Sequence, residues 1–205
     1  EDDIKSSPEQ AFGAVRPGDI KYKDVNGDGI VNTYDRVAIG NPSTPEIVFG
    51  FGTSIAYKGF DISVFFQGAG NMDFMLGGDG FFPYRRGEEQ GNVTYYATDR
   101  WTPENPDQHA LFPRLSAGDN PNNYQTSTWW QRKADYLRLK TAELGYTLPK
   151  SVLHSLKITT CRFYVSGLNL YTFSKFKLWD PELGSANGGA YPIQRIINGG
   201  ININF

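Results

Sequence analysis

Residues 47 to 68 read I47-V-F-G-F-G-T-S-I-A-Y57-K-G-F60-D-I-S-V-F-F-Q-G68. In an extended chain successive side chains point to opposite sides. Ile47, Phe49, Phe51, Ile55 and Tyr57, with Thr53 among them, therefore share one face, and Val48, Gly50, Gly52, Ser54 and Ala56 share the other. After the tight Lys58-Gly59 connection, Phe60, Ile62, Val64 and Phe66 oppose Asp61, Ser63 and Gln67. The stretch predicts a β-hairpin with one aromatic face and one small or polar face.

Three further alternating segments follow, Tyr136 to Leu148, Ile158 to Phe173 and Arg195 to Phe205. In the last, Ile197, Ile201, Ile203 and Phe205 alternate with Asn198, Gly200, Asn202 and Asn204. The apolar parity flips near Thr141 in the first of the three and around Gly167 in the second, which predicts β-bulges. The strands are expected at about 46–57, 60–69, 135–148, 158–173 and 194–205, long for a soluble sandwich and suited to a tilted bilayer crossing. Lys58-Gly59 and 149–157 are short connections, whereas 1–45, 70–134 and 174–193 are long. Trp129 and Trp130, Tyr57 and Phe60, and Tyr171 and Phe173 stand at strand ends, where membrane barrels carry aromatic girdles.

The composition agrees. Aromatic residues make up 15% of the chain and glycines number 23, favouring an all-β protein with many turns. The formal net charge of −2, from 20 basic and 22 acidic residues, provides no field for nucleic acid. The basic pair Arg85 and Arg86 reads as solvated loop charge. One cysteine, Cys161, excludes a disulfide scaffold. No apolar run approaches the roughly 20 residues of a membrane helix, but barrel strands leave no such run.

Residues 24 to 35, D24-V-N-G-D-G-I-V-N-T-Y-D35, carry the spacing of an EF-hand calcium loop. Asp24, Asn26, Asp28, Ile30 through its carbonyl, Asn32 and Asp35 occupy ligand positions, and Gly29 permits the sharp bend. Ca2+ seeks six to eight hard oxygens, which this set supplies. Asp35 replaces the usual Glu and is shorter, which weakens the site or favours a smaller ion such as Mg2+. A turn rich in Asp and Gly that holds no metal is the alternative.

Several ordered blocks resemble a known family: R16-P-G-D-I-K-Y-K-D-V-N-G-D-G-I30, D35-R-V-A-I-G-N-P42, Y57-K-G-F-D-I-S-V-F-F-Q-G68, Y136-L-R-L-K-T-A-E-L-G-Y-T-L-P149, F163-Y-V-S-G-L-N-L-Y-T-F173 and W179-D-P-E182. Together they are similar to the carboxy-terminal part of SusC/RagA-like TonB-dependent transporters. The resemblance implies the last five antiparallel strands of an outer-membrane barrel of about 22 strands, bacteroidete in type. It also implies import of oligosaccharides or peptides under a SusD-like surface lipoprotein lid, with energy relayed by TonB. The plug and the TonB box of the family are expected upstream, outside this chain. Asn198 to Phe205 resembles the terminal signal read by the barrel-assembly machinery, which would place the long connections, with the calcium-like loop among them, outside the cell.

Catalytic constellations are not recognisable: His109 and His154 are isolated and Cys161 lies in a strand, so no enzyme is expected. Asn92-Val93-Thr94 fits a glycosylation acceptor by pattern alone. The long connection carries Phe81, Phe82, Tyr84, Tyr95, Tyr96 and Trp101, which either contact a partner or sugar or fold the loop onto itself. A secreted calcium-binding β module for adhesion or glycan binding is the rival reading.

Overall fold

The computed structural model describes residues 1–84, 93–154 and 158–205. Arg85, Arg86 and Asn92 lie outside the described residues, as does part of the 149–157 connection. The chain forms two compact units: Glu1–Gly40 with Phe74–Arg132 and Ala186–Gly189, and Asn41–Asp73 with Lys133–Ser185 and Ala190–Phe205.

The second unit holds the sheet. Strands β3 (Ile47–Tyr57), β4 (Phe60–Gly70), β7 (Tyr136–Thr147), β8 (Thr160–Ser174) and β9 (Ile196–Asn204) pair antiparallel in that order. Register assigns the faces. Phe51 faces Phe66, Ile55 faces Ile62 and Tyr57 faces Phe60. Ile62 in turn faces Leu144, and Phe60 faces Tyr146. Across β7 and β8, Leu144 faces Val165 and Tyr146 faces Phe163, which faces Ile201 of β9. Directly opposed residues share a face, so one side of the sheet is a continuous apolar surface. Rings pack along it, Phe51 on Phe66 at 5.2 Å and Phe60 on Tyr146 at 4.5 Å.

That surface is open. Phe51 is 54% exposed, Ile62 48% and Ile197 68%. Large apolar side chains this exposed and contiguous mark an interaction surface rather than a core.

The parity flips have physical causes. Against β4, Phe65 faces Thr141 and Phe66 faces Leu139, leaving Lys140 as the extra residue on β7. On β8 the opposite partners jump from Leu168 to Tyr171, and Asn169 adopts φ +52. A residue without a partner restores the apolar side chains beyond it to the same face. The second bulge thus lies just past Gly167, where an asparagine tolerates the left-handed backbone. In the 149–157 connection, Lys150–Leu153 forms a short helix with Leu153 buried.

The other unit is loop-rich. β1 (Glu9–Gln10) pairs parallel with β2 (Ile30–Val31), and β5 (Asp73–Met75) pairs with β6 (Gln131–Lys133). A core of Phe81, Phe82, Phe112 and Trp130 forms, with Trp130 2% exposed. Ring centroids lie 4.9 Å apart for Phe82 and Trp130 and 5.1 Å for Phe81 and Phe112. Phe81 and Phe82 are therefore folding residues of the loop; Tyr95 is exposed.

Candidate functional site

The 24–35 segment folds as a closed loop around its own side chains. Asp24 accepts from the amides of Gly27 at 2.6 Å and Gly29 at 2.8 Å. Asn26 accepts from the Asp28 amide at 2.9 Å, and Asp28 from the Ile30 amide at 2.9 Å. Asn32 caps a 3-10 turn, Thr33–Asp35, by accepting from the Tyr34 amide at 2.8 Å. Asp35 is buried and closes the ring, one oxygen accepting from Val25 at 2.8 Å and Asn26 at 3.3 Å, the other from Asn32 at 2.8 Å. The Asn32 amide foremost, with that of Val25 next, holds the Asp35 carboxyl below the usual carboxylate range. The six sequence-nominated residues thus lie on one loop. Among the described residues no three His, Cys, Asp or Glu side chains converge as a metal-holding group.

A second polar assembly, not anticipated from sequence, ties the preceding R16-P-G-D block to the distant loop. Asp19 accepts from Asn123 at 2.8 Å and Asn120 at 3.0 Å through one oxygen, and pairs with Arg114 at 3.0 Å through the other. The Ile20 amide donates to Asn123 at 2.9 Å, and Asn122 donates to the Ile20 carbonyl at 2.8 Å. Asn123 offers its own carbonyl to the Trp130 indole at 2.9 Å. Gly18 sits at φ +88, and a Cβ there would lie 2.2 Å from the Trp101 ring. Within the block 16–30, Gly18, Asp19 and Ile20 each have a steric or hydrogen-bonding task.

The sheet's non-apolar face carries two charge clusters. Toward the short turns, Arg162 of β8 pairs with Asp61 of β4 and with Glu143 of β7 at 2.6 Å. Toward the long connections, Arg138 of β7, only 2% exposed, pairs with Asp180 and, at 2.9 Å, with Glu182. Lys140 joins Glu182 at 2.9 Å. W179-D-P-E182 and Y136-L-R-L-K140, about forty residues apart in the chain, are ion-pair partners in the fold. Cys161 is buried at the end of β8.

Long antiparallel strands with one exposed apolar face and one ion-paired face define a wall segment of a membrane β-barrel. Comparisons with known proteins place it further. No protein-family model matches the chain. It is 36% identical over 203 residues to TonB-dependent receptor P26 of Formosa agariphila, covering 92% of this chain and 20% of that protein. With TonB-dependent receptor P3 of the same organism it shares 31% identity over 208 residues, 94% of this chain and 20% of that one. The chain thus spans about one fifth of the length of the curated relatives it matches. Among solved structures, the RagAB peptide importer in its closed-closed state superposes with a TM-score of 0.65 at 26% identity, covering 87% of this chain and 20% of that one. Its open-open state gives 0.66 at 25% identity, over 91% and 20%. This chain corresponds to a segment of a TonB-dependent outer-membrane receptor of the SusC/RagA-like kind, and its sheet is part of that outer-membrane barrel.

Proposed function

We propose that, within a larger receptor, this chain supplies barrel wall and extracellular loops for TonB-dependent import of oligosaccharides or peptides beneath a SusD-like surface lipoprotein. The observation that carries the reading is the division of the sheet into an exposed apolar face, with Phe51 and Ile62, and an ion-paired face, with Arg138 and Arg162. A barrel needs this division because one side meets outer-membrane lipid and the other an aqueous or protein-filled lumen. The rival adhesion module requires Phe49, Phe51, Ile62 and Val64 to share a core with a second sheet, yet Phe49, Phe51 and Ile62 are exposed. The similarity to a peptide importer favours peptides as one substrate class. TonB would act through the region upstream, and Asn198–Phe205 would address the barrel-assembly machinery. Deleting the gene for the full-length receptor and measuring TonB-dependent uptake of defined peptides and oligosaccharides tests the reading. Uptake unchanged for every compound would count against it.

In this reading the loop of Asp24, Asn26, Asp28, Ile30, Asn32 and Asp35 is an extracellular clip for Ca2+, with Mg2+ the poorer fit. The donor chemistry supports it, since every candidate ligand is a hard oxygen and a carboxylate keeps lone pairs beyond the amide bonds that it already accepts. The ion's job is structural, adding a closure to a loop that its own backbone amides already hold. Isothermal titration of the full-length receptor with Ca2+, against an Asp24→Ala variant, tests it; heat identical in the two proteins would leave the loop as a turn closed by its own amides.

A further inference from the structure

The connection between β8 and β9 does not simply leave the barrel rim. Its Pro181–Leu183 turn returns to the sheet and presents Asp180 and Glu182 to Arg138 and Lys140. Which face it returns to follows from register. Arg138 lies opposite Gln67 on one side and Thr172 on the other. Gln67 shares its side of β4 with Asp61 and Ser63, the face opposite Phe60, Ile62, Val64 and Phe66. The segment is therefore anchored to the lumenal wall.

The anchor is built to hold. The Arg138 guanidinium is buried, with the Tyr136 ring 6.0 Å from its carbon. Its Nη2 donates a charge-assisted bond to Asp180 and its Nε faces Glu182 as an ion pair, and a buried guanidinium is expensive to leave without its carboxylates. Asp180 also caps its own turn, accepting from the Glu182 amide at 3.0 Å. The turn closes through the Leu183 amide on the Asp180 carbonyl and the Gly184 amide on that of Pro181. Gly184 ends it at φ +61, the left-handed position glycine favours. Trp179 packs edge-on against Phe176 at 5.1 Å and donates its indole N–H to the Ser185 carbonyl at 2.9 Å. On the same face, Ala69 and Tyr136 at this end are buried, while Ser54 and Ala56 near the short turn are exposed.

We propose that residues 175–185 form a fixed constriction on the inner wall at the loop end of the lumen, latched by Arg138 and Lys140 through Asp180 and Glu182. This rests on the barrel reading above. On that reading the latch keeps the segment against the inner wall instead of leaving it free above the rim. A connection that merely protruded from the rim would have no need of a buried arginine partner on the lumenal face.

The test uses the full-length receptor in outer membranes with Cys161→Ser. Lys140→Cys and Glu182→Cys are treated with a short bis-thiosulfonate, and the linked peptide is quantified by mass spectrometry, with the Arg138 to Asp180 pair still intact. The linked peptide should dominate, and adding Asp180→Asn should cut its yield several-fold. In parallel, Asp180→Asn with Glu182→Gln should speed hydrogen exchange at the Leu183 and Gly184 amides roughly tenfold or more, with β7 and β8 protection kept. No linked peptide, or exchange unchanged by the double substitution, would overturn the latch. Resistance of the parent receptor to SDS without heating reports the barrel separately. A receptor that is SDS-resistant but unlinked fails only the latch; one without SDS resistance fails the barrel reading and the latch with it.

Discussion

Arg162 and Asp61 stand on strands that do not touch each other, with β7 between them, yet the Arg162 Nε donates to the Asp61 carboxylate at 3.1 Å. The intervening strand permits this because it has glycine at the crossing point. A Cβ on Gly145 would lie 2.3 Å from the Arg162 guanidinium. Glu143, two residues away on the same face, accepts at 2.6 Å from Nη2, the nitrogen that also donates to Asp61. One arginine thus ties three strands together across the lumenal side.

Gly145→Ala should displace Arg162 and lower the temperature at which the receptor loses SDS resistance. The same substitution in an Arg162→Ala background should cost little more. The two effects are coupled if they share this contact, and a double-substitution cycle reads that coupling directly. Additive losses would show that Gly145 matters for some other reason.

Trp130 is the hub of the loop-rich unit, touching Phe81, Phe82 and Phe112. Truncating a buried aromatic leaves a cavity, and Trp130→Ala should destabilise that unit by about 3–5 kcal/mol. Hydrogen exchange should accelerate across residues 74–84 and 110–130 while β4 and β7 stay protected. Asn123→Ala, which removes bonds to Asp19 and Ile20, should loosen residues 16–22 in the same measurement.

Asp35 makes the clip loop sensitive to acid. Three backbone amides favour its charged form, so its carboxyl titrates lower in the folded loop than in an unfolded chain. The stabilisation it provides is complete above the unfolded value of about 3.9 and falls away as pH drops through the folded one. Loop protection in the metal-free receptor should therefore hold at neutral pH and fade below about pH 4. Asp35→Asn should remove that dependence, and a profile identical in the two proteins would assign it elsewhere.

If the loop binds Ca2+, adding the ion should slow exchange across residues 24–35 and a chelator should reverse this, with the strands unaffected. Asp24→Ala should abolish the response.

The hairpin at 47–68 was legible because alternation with period two is a property of neighbouring residues, and Phe49, Phe51, Ile62 and Val64 carry it despite Thr53 in the apolar row and Phe65 in the polar one. The parity flip at Thr141 pointed to the Lys140 bulge for the same reason. The loop unit was not legible. Residues 74–132 have no period, and the bonds that order them join Asp19 to Asn123 and Ile20 to Asn122, about a hundred residues apart, which no local pattern encodes. The spacing of the 24–35 loop nominated six oxygen donors, but only the fold shows that Asp35 closes the ring on three amides. Likewise W179-D-P-E182 stood out as a block, while its purpose waited on the register that turns Arg138 inward.

The central claim is that Phe51 and its row meet lipid while the opposite row does not. Nitroxide labels at Phe51→Cys, Ile62→Cys and Ser54→Cys, each in a Cys161→Ser full-length receptor reconstituted in bilayers, measure this through collisions with oxygen and with a water-soluble nickel chelate. Oxygen should dominate at positions 51 and 62, where lipid dissolves it, and should not dominate at position 54. Equal accessibility to the chelate at all three positions would contradict the assignment of the apolar face to the membrane.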